Sequence, residues 1–369
     1  PQAEKRSHWS HEPFCKYSKN LVTVGKKFCT YTTNTTGLTG VSVIVTPSLA
    51  ARIAKDELLE NDPAHNFLPL SLASKLKEDP PWSVREVPGK GMGVFAARRI
   101  ERFETVMVDQ ASVLEDIDAE KALSTTEERE MLARAFKQLK FPEALMNMSA
   151  EHARREERGQ LEADIMVTNS FGTEIDGTNI RALFPQISRI NHECNPNSFV
   201  LISRTGTSMA VKAYREIEPG EELNISCMFG VRLLCLKIIS DTFLVDLRLG
   251  HTFARRQGLI KSKWGFTCTC SLCSLSHAEK TASDIRRTLI KQIDNKIVEL
   301  WQEGHQKEAL SLAEESIEIV KDEGLNHFLP SHYALLAKLW LMLGKRDKAE
   351  GFGRKGFGML VDMGYLGHE

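Results

Sequence analysis

Three cysteines near residue 270 are the side chains whose type and spacing most clearly suggest chemistry. Cys268, Cys270 and Cys273 lie within six residues, in the pattern Cys-x-Cys-x-x-Cys. Thiolates at this spacing are typical of a structural metal site, and tetrahedral Zn²⁺ in such a site takes four ligands. The sequence therefore predicts a zinc ion with one further ligand from elsewhere in the chain. The alternative is three reduced thiols that bind no metal.

Two further cysteines stand apart from this group. Cys15 and Cys29 lie near the start of a chain that holds eight cysteines in all. A disulfide between them is one interpretation, if the protein passes through an oxidising compartment. Two free thiols are the other interpretation.

Two short polar or glycine-rich segments could contribute to a binding site. Residues 89–93 read Gly-Lys-Gly-Met-Gly, and taken alone they predict a β-turn, because glycine readily takes a positive φ. Residues 191–197 read Asn-His-Glu-Cys-Asn-Pro-Asn, and taken alone they predict a loop that contains one histidine. Neither segment identifies a ligand by itself.

Short strands on either side of a charged helical segment must position these motifs. Residues 115 to about 162 are rich in Ala, Leu, Glu and Arg and predict a helical insertion. Residues 47–59 predict a helix, and residues 30–39 predict a loop or hairpin turn. Strands are predicted at 41–45, 84–87, 94–96, 105–108, 112–114, 165–171, 199–203, 208–213 and 222–226. This combination indicates an α+β domain.

The sequence from residue 283 onward has a helical pattern throughout. Residues 304–309 and 344–349 are similar turn-and-helix starts, and each follows an amphipathic helix, at 288–303 and 333–343. Such helix hairpins resemble tetratricopeptide repeats (TPR). Two units are too few for a free-standing array, so we expect them to pack on the neighbouring domain.

The composition excludes some classes of function. Lys and Arg number 48 against 49 Asp and Glu, so the net charge of −1 gives no global attraction to nucleic acid or to an anionic membrane. The most apolar stretch, 231–247, is interrupted by charges and predicts no membrane span. Because the sequence begins at Pro1, any targeting peptide would be invisible, and the expected location is nuclear or cytoplasmic with a secretory route left open.

Four segments, in this order, resemble the motifs of SET-domain protein lysine methyltransferases. Residues 89–95 resemble the opening motif, 189–197 the central motif, 217–226 the closing strand and 264–273 the post-SET zinc segment. The likeness covers roughly residues 82–275. The helical insertion and tail look closest to the SET–MYND branch and its fungal relatives, although no MYND-type cysteine and histidine series occurs in the insertion.

The resemblance implies an α+β fold: a SET β-fold with a pseudoknot, a helical insertion, a post-SET zinc segment and a TPR-like C-terminal domain. The expected parts are an N-terminal extension of uncertain structure (1–81), the two halves of the SET domain (82–114 and 164–227), the insertion (115–163), an atypical insertion (228–249), the zinc segment (250–275) and the helical domain (283–369).

The resemblance also assigns ligands. S-adenosylmethionine is the implied cofactor, and Asn191 and His192 are expected to line its pocket. The remaining expected cofactor contacts are Lys90, Gly91, Gly93, Asn169 and Phe266. Asn169 and Phe266 also fit simpler interpretations, an Asn in a turn and a core aromatic. Cys194 becomes the expected fourth zinc ligand beside Cys268, Cys270 and Cys273.

The sequence departs from the family where a catalytic tyrosine is expected. The closing strand reads Glu-Glu-Leu-Asn-Ile-Ser and then Cys227, although a tyrosine normally follows the serine and orients the amine and the methyl group. A thiol is shorter than a phenol and a weak hydrogen-bond donor. The apolar residues 228–249 then follow. They are either a retained intron or a genuine insertion in a degenerate enzyme.

The predicted function is therefore S-adenosylmethionine-dependent methylation of a protein lysine, on a histone or a non-histone substrate. The alternative is a catalytically impaired SET module that acts as a binding or scaffold protein. A further alternative gives the main function to the helical repeats, with the SET portion only structural. A protein partner is expected at the C-terminal helices, and neither a membrane nor direct nucleic-acid binding is expected.

Overall fold

The computed structural model describes residues 8–20, 23–55, 59, 62–151, 159–226 and 250–366. The N-terminal part, whose structure the sequence left uncertain, contains a strand hairpin. Its elements are β1 (Phe14–Tyr17), β2 (Lys27–Thr33), β3 (Val41–Val45), α1 (Pro47–Lys55), α2 (Leu70–Glu78), β4 (Trp82–Val87), β5 (Gly91–Ala96), β6 (Thr105–Gln110) and β7 (Val113–Asp116).

Helices and strands then alternate in the middle of the chain. These are α3 (Ile117–Ala122), α4 (Thr125–Lys137), α5 (Glu143–Met146), α6 (Leu161–Asn169), β8 (Phe171–Ile175), β9 (Thr178–Leu183), β10 (Asn191–His192), β11 (Ser198–Ile202), β12 (Ser208–Ala213) and β13 (Glu222–Ile225). The start of α4 is fixed by a capping box, in which Ser124 and Glu127 satisfy each other's backbone N–H groups.

Helices make up most of the described chain after residue 250. They are α7 (Phe253–Trp264), α8 (His277–Gln302), α9 (Gln306–Asp322), α10 (Leu329–Met342) and α11 (Arg346–Met363). Helix α8 packs against α9, and α10 packs against α9 and α11. Ile293, Ile297, Ile317 and Leu336 are buried in a separate core between them. The C-terminal region is thus helical, and its relation to TPR repeats stays a prediction.

The largest sheet has six strands in the order β1-β2-β3-β7-β9-β8. Strand β3 pairs with β7 in parallel, so the N-terminal hairpin lies in the same sheet as the strands on either side of the insertion. All five residues of β3 are buried, because one face packs on the main core and the other on helices α3 to α6. Cys15 and Cys29 lie opposite each other in β1 and β2 and form a disulfide.

Two smaller sheets complete the β-structure. One has the order β11-β12-β6 and the other the order β10-β13-β5-β4. In the second sheet the late strand β13 lies between β5 and β10, with β10 parallel and β5 antiparallel to it. The position of β13 between β5 and β10 brings the segments around residues 91, 191 and 224 together.

Most of the predicted strands are confirmed. The loop or hairpin turn predicted at 30–39 is confirmed for residues 34–39, which join β2 to β3, whereas residues 30–33 belong to β2. The helix predicted at 47–59 is confirmed for 47–55, and residues 56–58 lie outside the described part. The strand predicted at 165–171 is wrong, because residues up to Asn169 belong to α6. Ile165 is buried against α4, so packing of the helix outweighs its preference for β-structure.

Candidate active site and cysteine cluster

The turn between β4 and β5 gives the first side of the site. Val87 pairs with Gly91, and the Lys90 N–H donates to the Val87 carbonyl at 3.0 Å. Gly91 has φ +77°, which favours glycine, and an added Cβ there would meet no atom within 4 Å. One face of the turn backbone is therefore open to a ligand.

Gly93 is required for the opposite reason. A Cβ at this position would lie 2.6 Å from Val87 Cγ2, 2.9 Å from Glu222 Oε1 and 3.1 Å from Asn191 Nδ2. A methyl group could occupy that space only if these side chains moved. Gly93 thus lies directly against side chains from β4, β10 and β13.

Asn191 connects these strands through its side-chain amide. Its Nδ2 donates to the Met92 carbonyl at 3.2 Å and to Glu222 Oε1 at 2.7 Å. The other carboxylate oxygen of Glu222 lies 3.5 Å from Lys90 Nζ. Glu222 therefore links two predicted cofactor contacts. It lies in the closing motif, but sequence reasoning did not single it out.

Asn197 holds the closing strand in place. Its Nδ2 donates to the Glu222 carbonyl at 2.8 Å, and its Oδ1 accepts from the Asn224 N–H at 2.8 Å. The Glu193 N–H donates to the Ile225 carbonyl at 2.9 Å. The central motif is thus bound to β13 at several successive residues.

His192 lies between the glycine turn and the cysteines. Its ring packs edge-on to Phe266, with 6.4 Å between the ring centroids, and its Nε2 lies 3.4 Å from Cys194 Sγ. Burial lowers the pKa of His192 to about 4, so the imidazole is neutral at pH 7. Phe266 keeps 41% of its surface exposed.

The four cysteines predicted as metal ligands converge. Cys194, Cys268, Cys270 and Cys273 are buried, and their sulfurs all lie within 4.8 Å of one another. The Sγ of Cys194 is 3.9 Å from that of Cys268 and 3.6 Å from that of Cys273. Zn–S bonds of about 2.3 Å in a tetrahedron place the sulfurs about 3.8 Å apart. The cluster therefore fits Zn²⁺. Hydrogen bonds from the neighbouring thiols hold the pKa of Cys270 below its ordinary value.

Neighbouring side chains fix the backbone around these cysteines. Gln257, on α7, donates to the Cys268 carbonyl at 2.8 Å and accepts from the Cys268 N–H at 3.0 Å. The Ser271 hydroxyl donates to the Glu193 carboxylate. The cysteine-rich segment 268–273 is thus joined both to the preceding helix and to the central motif.

Asn169 lies at the end of α6 and has other partners. Its Nδ2 donates to the carbonyls of Ser149 and Ile165, at 2.6 and 2.8 Å. Its own carbonyl accepts from the Ser188 hydroxyl at 2.9 Å, which ties α6 to the segment before Asn191. Its expected contact with a cofactor stays a prediction. Cys227 lies outside the described residues.

Asp109 supports the same segment from β6, and sequence reasoning missed it. Its buried carboxylate accepts from the N–H groups of Gln186 and Ile187, at 2.6 and 3.1 Å. These bonds hold the single helical turn Ile187–Arg189 that leads into Asn191. Burial raises the pKa of Asp109 to about 6. No sequence motif marks the residue, because its partners are backbone groups about eighty positions away.

Comparisons with known proteins agree with this geometry. Residues 91–228 match the SET domain family. Histone-lysine N-methyltransferase set5 of Schizosaccharomyces pombe is 26% identical over 282 residues, which are 74% of this chain and 76% of the yeast protein. N-lysine methyltransferase SMYD2 of Gallus gallus is 29% identical over 144 residues, 36% of this chain and 28% of that protein.

SMYD2 of Homo sapiens is 25% identical over 174 residues, 44% of this chain and 35% of its own length. The chain therefore matches only about a third of each SMYD2 protein. None of the described helices is both long and apolar enough to cross a bilayer. The chain carries a SET domain and is related to the SMYD and fungal Set5 lysine methyltransferases.

Proposed function

We propose that this chain transfers a methyl group from S-adenosylmethionine to a lysine of a protein. The observation that carries this proposal is the convergence of Gly93, Asn191 and Glu222 beside a buried four-cysteine cluster. When bound, the cofactor supplies a sulfonium methyl group. The chain's own residues hold the cofactor, keep water away and position the amine.

The residues around the glycine turn suit the charged end of this cofactor. The open face at Gly91 admits close backbone approach, and Lys90 offers a positive charge for a carboxylate. Asn191 and the neutral His192 add polar groups that bring no further charge. The exposed face of Phe266 suits stacking on a flat ring.

The cysteine cluster would hold a structural zinc ion. Four cysteine ligands close the coordination shell, so the metal has no open position for substrate. Its role would be to fasten residues 264–273 beside His192 and thereby complete the wall of the pocket. The chain's contribution is to bring Cys194 to three ligands that lie more than seventy positions later.

The substrate lysine must lose a proton before it attacks. A free lysine has a pKa of about 10.4, and apolar surroundings lower it because they disfavour the ammonium. The name of the Schizosaccharomyces pombe relative specifies histone lysine, whereas that of SMYD2 specifies lysine only. Histones are therefore the first proteins to test.

Cofactor binding is the direct test of the proposed pocket. We expect calorimetric titration with S-adenosylmethionine to give a one-to-one complex, and Asn191→Ala to weaken it at least tenfold through loss of two hydrogen bonds. Asn179→Ala, on the exposed side of β9, is the matched control and should bind as the wild type does. A folded chain that binds no cofactor would refute the proposal.

Turnover is tested separately at the position of the missing tyrosine. We expect the chain as written to methylate a histone mixture about 10²-fold more slowly than a variant with Cys227→Tyr and residues 228–249 removed, because orientation of the amine is lost. Transfer of labelled methyl groups measures the difference. Equal rates would show that this position does not limit catalysis.

A further inference from the structure

Two arginines are the largest fully buried side chains of the described residues, and the proposed function uses neither. They are Arg256 on α7 and Arg287 on α8. A guanidinium in a protein interior is costly unless charges and hydrogen bonds compensate it. The burial of Arg287, which contacts the first cysteine of the cluster, therefore needs a reason.

The main partner of Arg287 is a buried glutamate. Arg287 Nε donates to Glu323 Oε1 at 2.5 Å, and the Ser283 hydroxyl donates to the same oxygen at 2.5 Å. Arg286 Nε donates to the other oxygen, Oε2, at 2.9 Å. These contacts join α8 to Glu323, the C-cap residue of α9. This junction, residues 283–287 with 323–324, is termed the α8–α9 corner.

The α8–α9 corner also contacts the turn that carries the first cysteine of the cluster. Arg287 Nη2 donates to the Cys194 carbonyl at 3.4 Å. Gly324 follows Glu323 with φ +71°, and a Cβ there would lie 2.9 Å from Asn195 Nδ2. Arg287 thus contacts Cys194, and Gly324, the residue after Glu323, lies against the neighbouring Asn195.

We propose that Arg287 and Glu323 form a positioning pair through which the C-terminal helices hold the Cys194–Asn195 turn at the zinc site. Cys194 is separated from Cys268 by 74 positions, so only tertiary contacts bring its sulfur to the other three. The inference rests on the proposed zinc site.

The test separates positioning from stability. Arg287→Met with Glu323→Met replaces the buried pair by apolar side chains, a change that is often neutral for folding. It also removes the donor to the Cys194 carbonyl. Arg286→Met is the matched control, because it removes an ion pair with Glu323 and leaves the contact with Cys194. Arg287→Lys keeps the positive charge but lacks a second nitrogen to reach the Cys194 carbonyl. This variant serves as the test if the double variant does not fold.

Two readouts are needed. Zinc release to a chromophoric chelator should be about tenfold faster in the double variant and in Arg287→Lys, as for the loss of a hydrogen bond from a charged donor, with the melting temperature near that of the wild type. Amide hydrogen exchange at residues 193–197 should accelerate in the same variants. Arg286→Met should match the wild type in both.

Wild-type zinc release and exchange in a folded Arg287 variant would overturn the inference. Equally fast zinc release and amide exchange in Arg286→Met would overturn the inference as well, because the cause would then be a general loosening of the contact between α8 and α9. A wild-type chain purified without zinc would refute the proposed metal site alone. Hydrogen exchange at 193–197 would still decide whether Arg287 positions the turn.

Discussion

The segments before and after the SET domain attach to it in different ways. The N-terminal strands continue the main sheet, since β3 is hydrogen-bonded to β7 and its side chains fill two cores. The C-terminal helices have their own core and meet the domain through a buried ion network at Cys194 and an aromatic cluster in which Phe199 stacks on Tyr214 and Tyr365.

This difference predicts different roles for the two flanks. A strand that shares backbone hydrogen bonds and core contacts with the domain should unfold together with it. Helices that contact the domain through a few polar groups and rings should instead affect the local geometry of the Cys194–Asn195 turn. The following four experiments test this distinction, beginning with the largest expected effect.

Removing a buried ring from the N-terminal flank should destabilise the whole domain. Phe28→Ala, at a buried position against α4, should lower the free energy of unfolding by about 3–5 kcal/mol. Tyr17→Ala is the control, because that ring is 58% exposed and the loss should stay within about 0.5 kcal/mol. Urea unfolding followed by tryptophan fluorescence measures both. Similar losses would contradict the assignment of β2 to the core.

The disulfide should contribute stability without affecting the zinc site. Cys15→Ser with Cys29→Ser removes a crosslink that spans 14 positions, with an expected loss of about 3 kcal/mol. The variant should keep the zinc content of the wild type in elemental analysis. Loss of zinc in folded protein would show that the two cysteine groups are coupled.

Acid should weaken the C-terminal flank through its buried histidines. Burial lowers the pKa of His327 to about 3, with a smaller effect from Arg287, whereas an unfolded histidine titrates near 6.5. The stabilising contribution is therefore complete above pH 6.5 and is lost as the pH falls toward 3. The expected loss by pH 4 is about 2–3 kcal/mol. Burial lowers the pKa of His332 also, so that residue acts in the same direction.

His327→Phe keeps an aromatic ring beside Tyr214 and Phe328 and removes the titrating group. We expect melting temperatures measured from pH 7 to pH 4 to fall less steeply in this variant than in the wild type. Hydrogen exchange should show acceleration in α9 to α11 before it appears in β2 and β3. An unchanged slope would exclude His327 as a source of the acid sensitivity.

A pair of glycines gives the smallest and most local test. Gly324 and Gly344 both follow helices and both have φ +71°, but only Gly324 faces Asn195. Gly324→Ala and Gly344→Ala should each cost about 1 kcal/mol from the left-handed conformation. Only Gly324→Ala should also accelerate zinc release and exchange at 193–197. Identical behaviour of the two variants would mean that the α8–α9 corner does not act on the turn.

Sequence motifs located most of the candidate site. Cys268, Cys270 and Cys273 were recognisable because metal ligation needs thiolates at short spacing. The glycine turn, the Asn191–His192 segment and Cys194 were assigned through the resemblance to SET-domain methyltransferases. The strands around them were predicted from alternating apolar and polar residues and from the abundance of β-branched side chains. The segment 165–171 could not be assigned correctly, because its apolar residues suit a buried helix as well as a strand.

Supporting residues could not be found in this way. Asp109, Glu222 and Arg287 act through backbone groups or through residues distant in sequence, so no local pattern marks them. The same holds for the N-terminal strands, whose place in the main sheet depends on the parallel pairing of β3 with β7. Pairing between strands about seventy positions apart is not encoded in either strand alone.

The sequence by itself therefore determined which chemical groups the candidate site offers: glycines in a tight turn, amide and imidazole groups, and thiols of a kind that can bind a metal. Only the tertiary structure decided which distant segments meet. It placed β13 between β5 and β10, brought Cys194 to the other three sulfurs and buried Arg287 beside it. The physical reason is that residue type fixes what a group can bind, whereas packing and strand pairing over long separations fix where it lies.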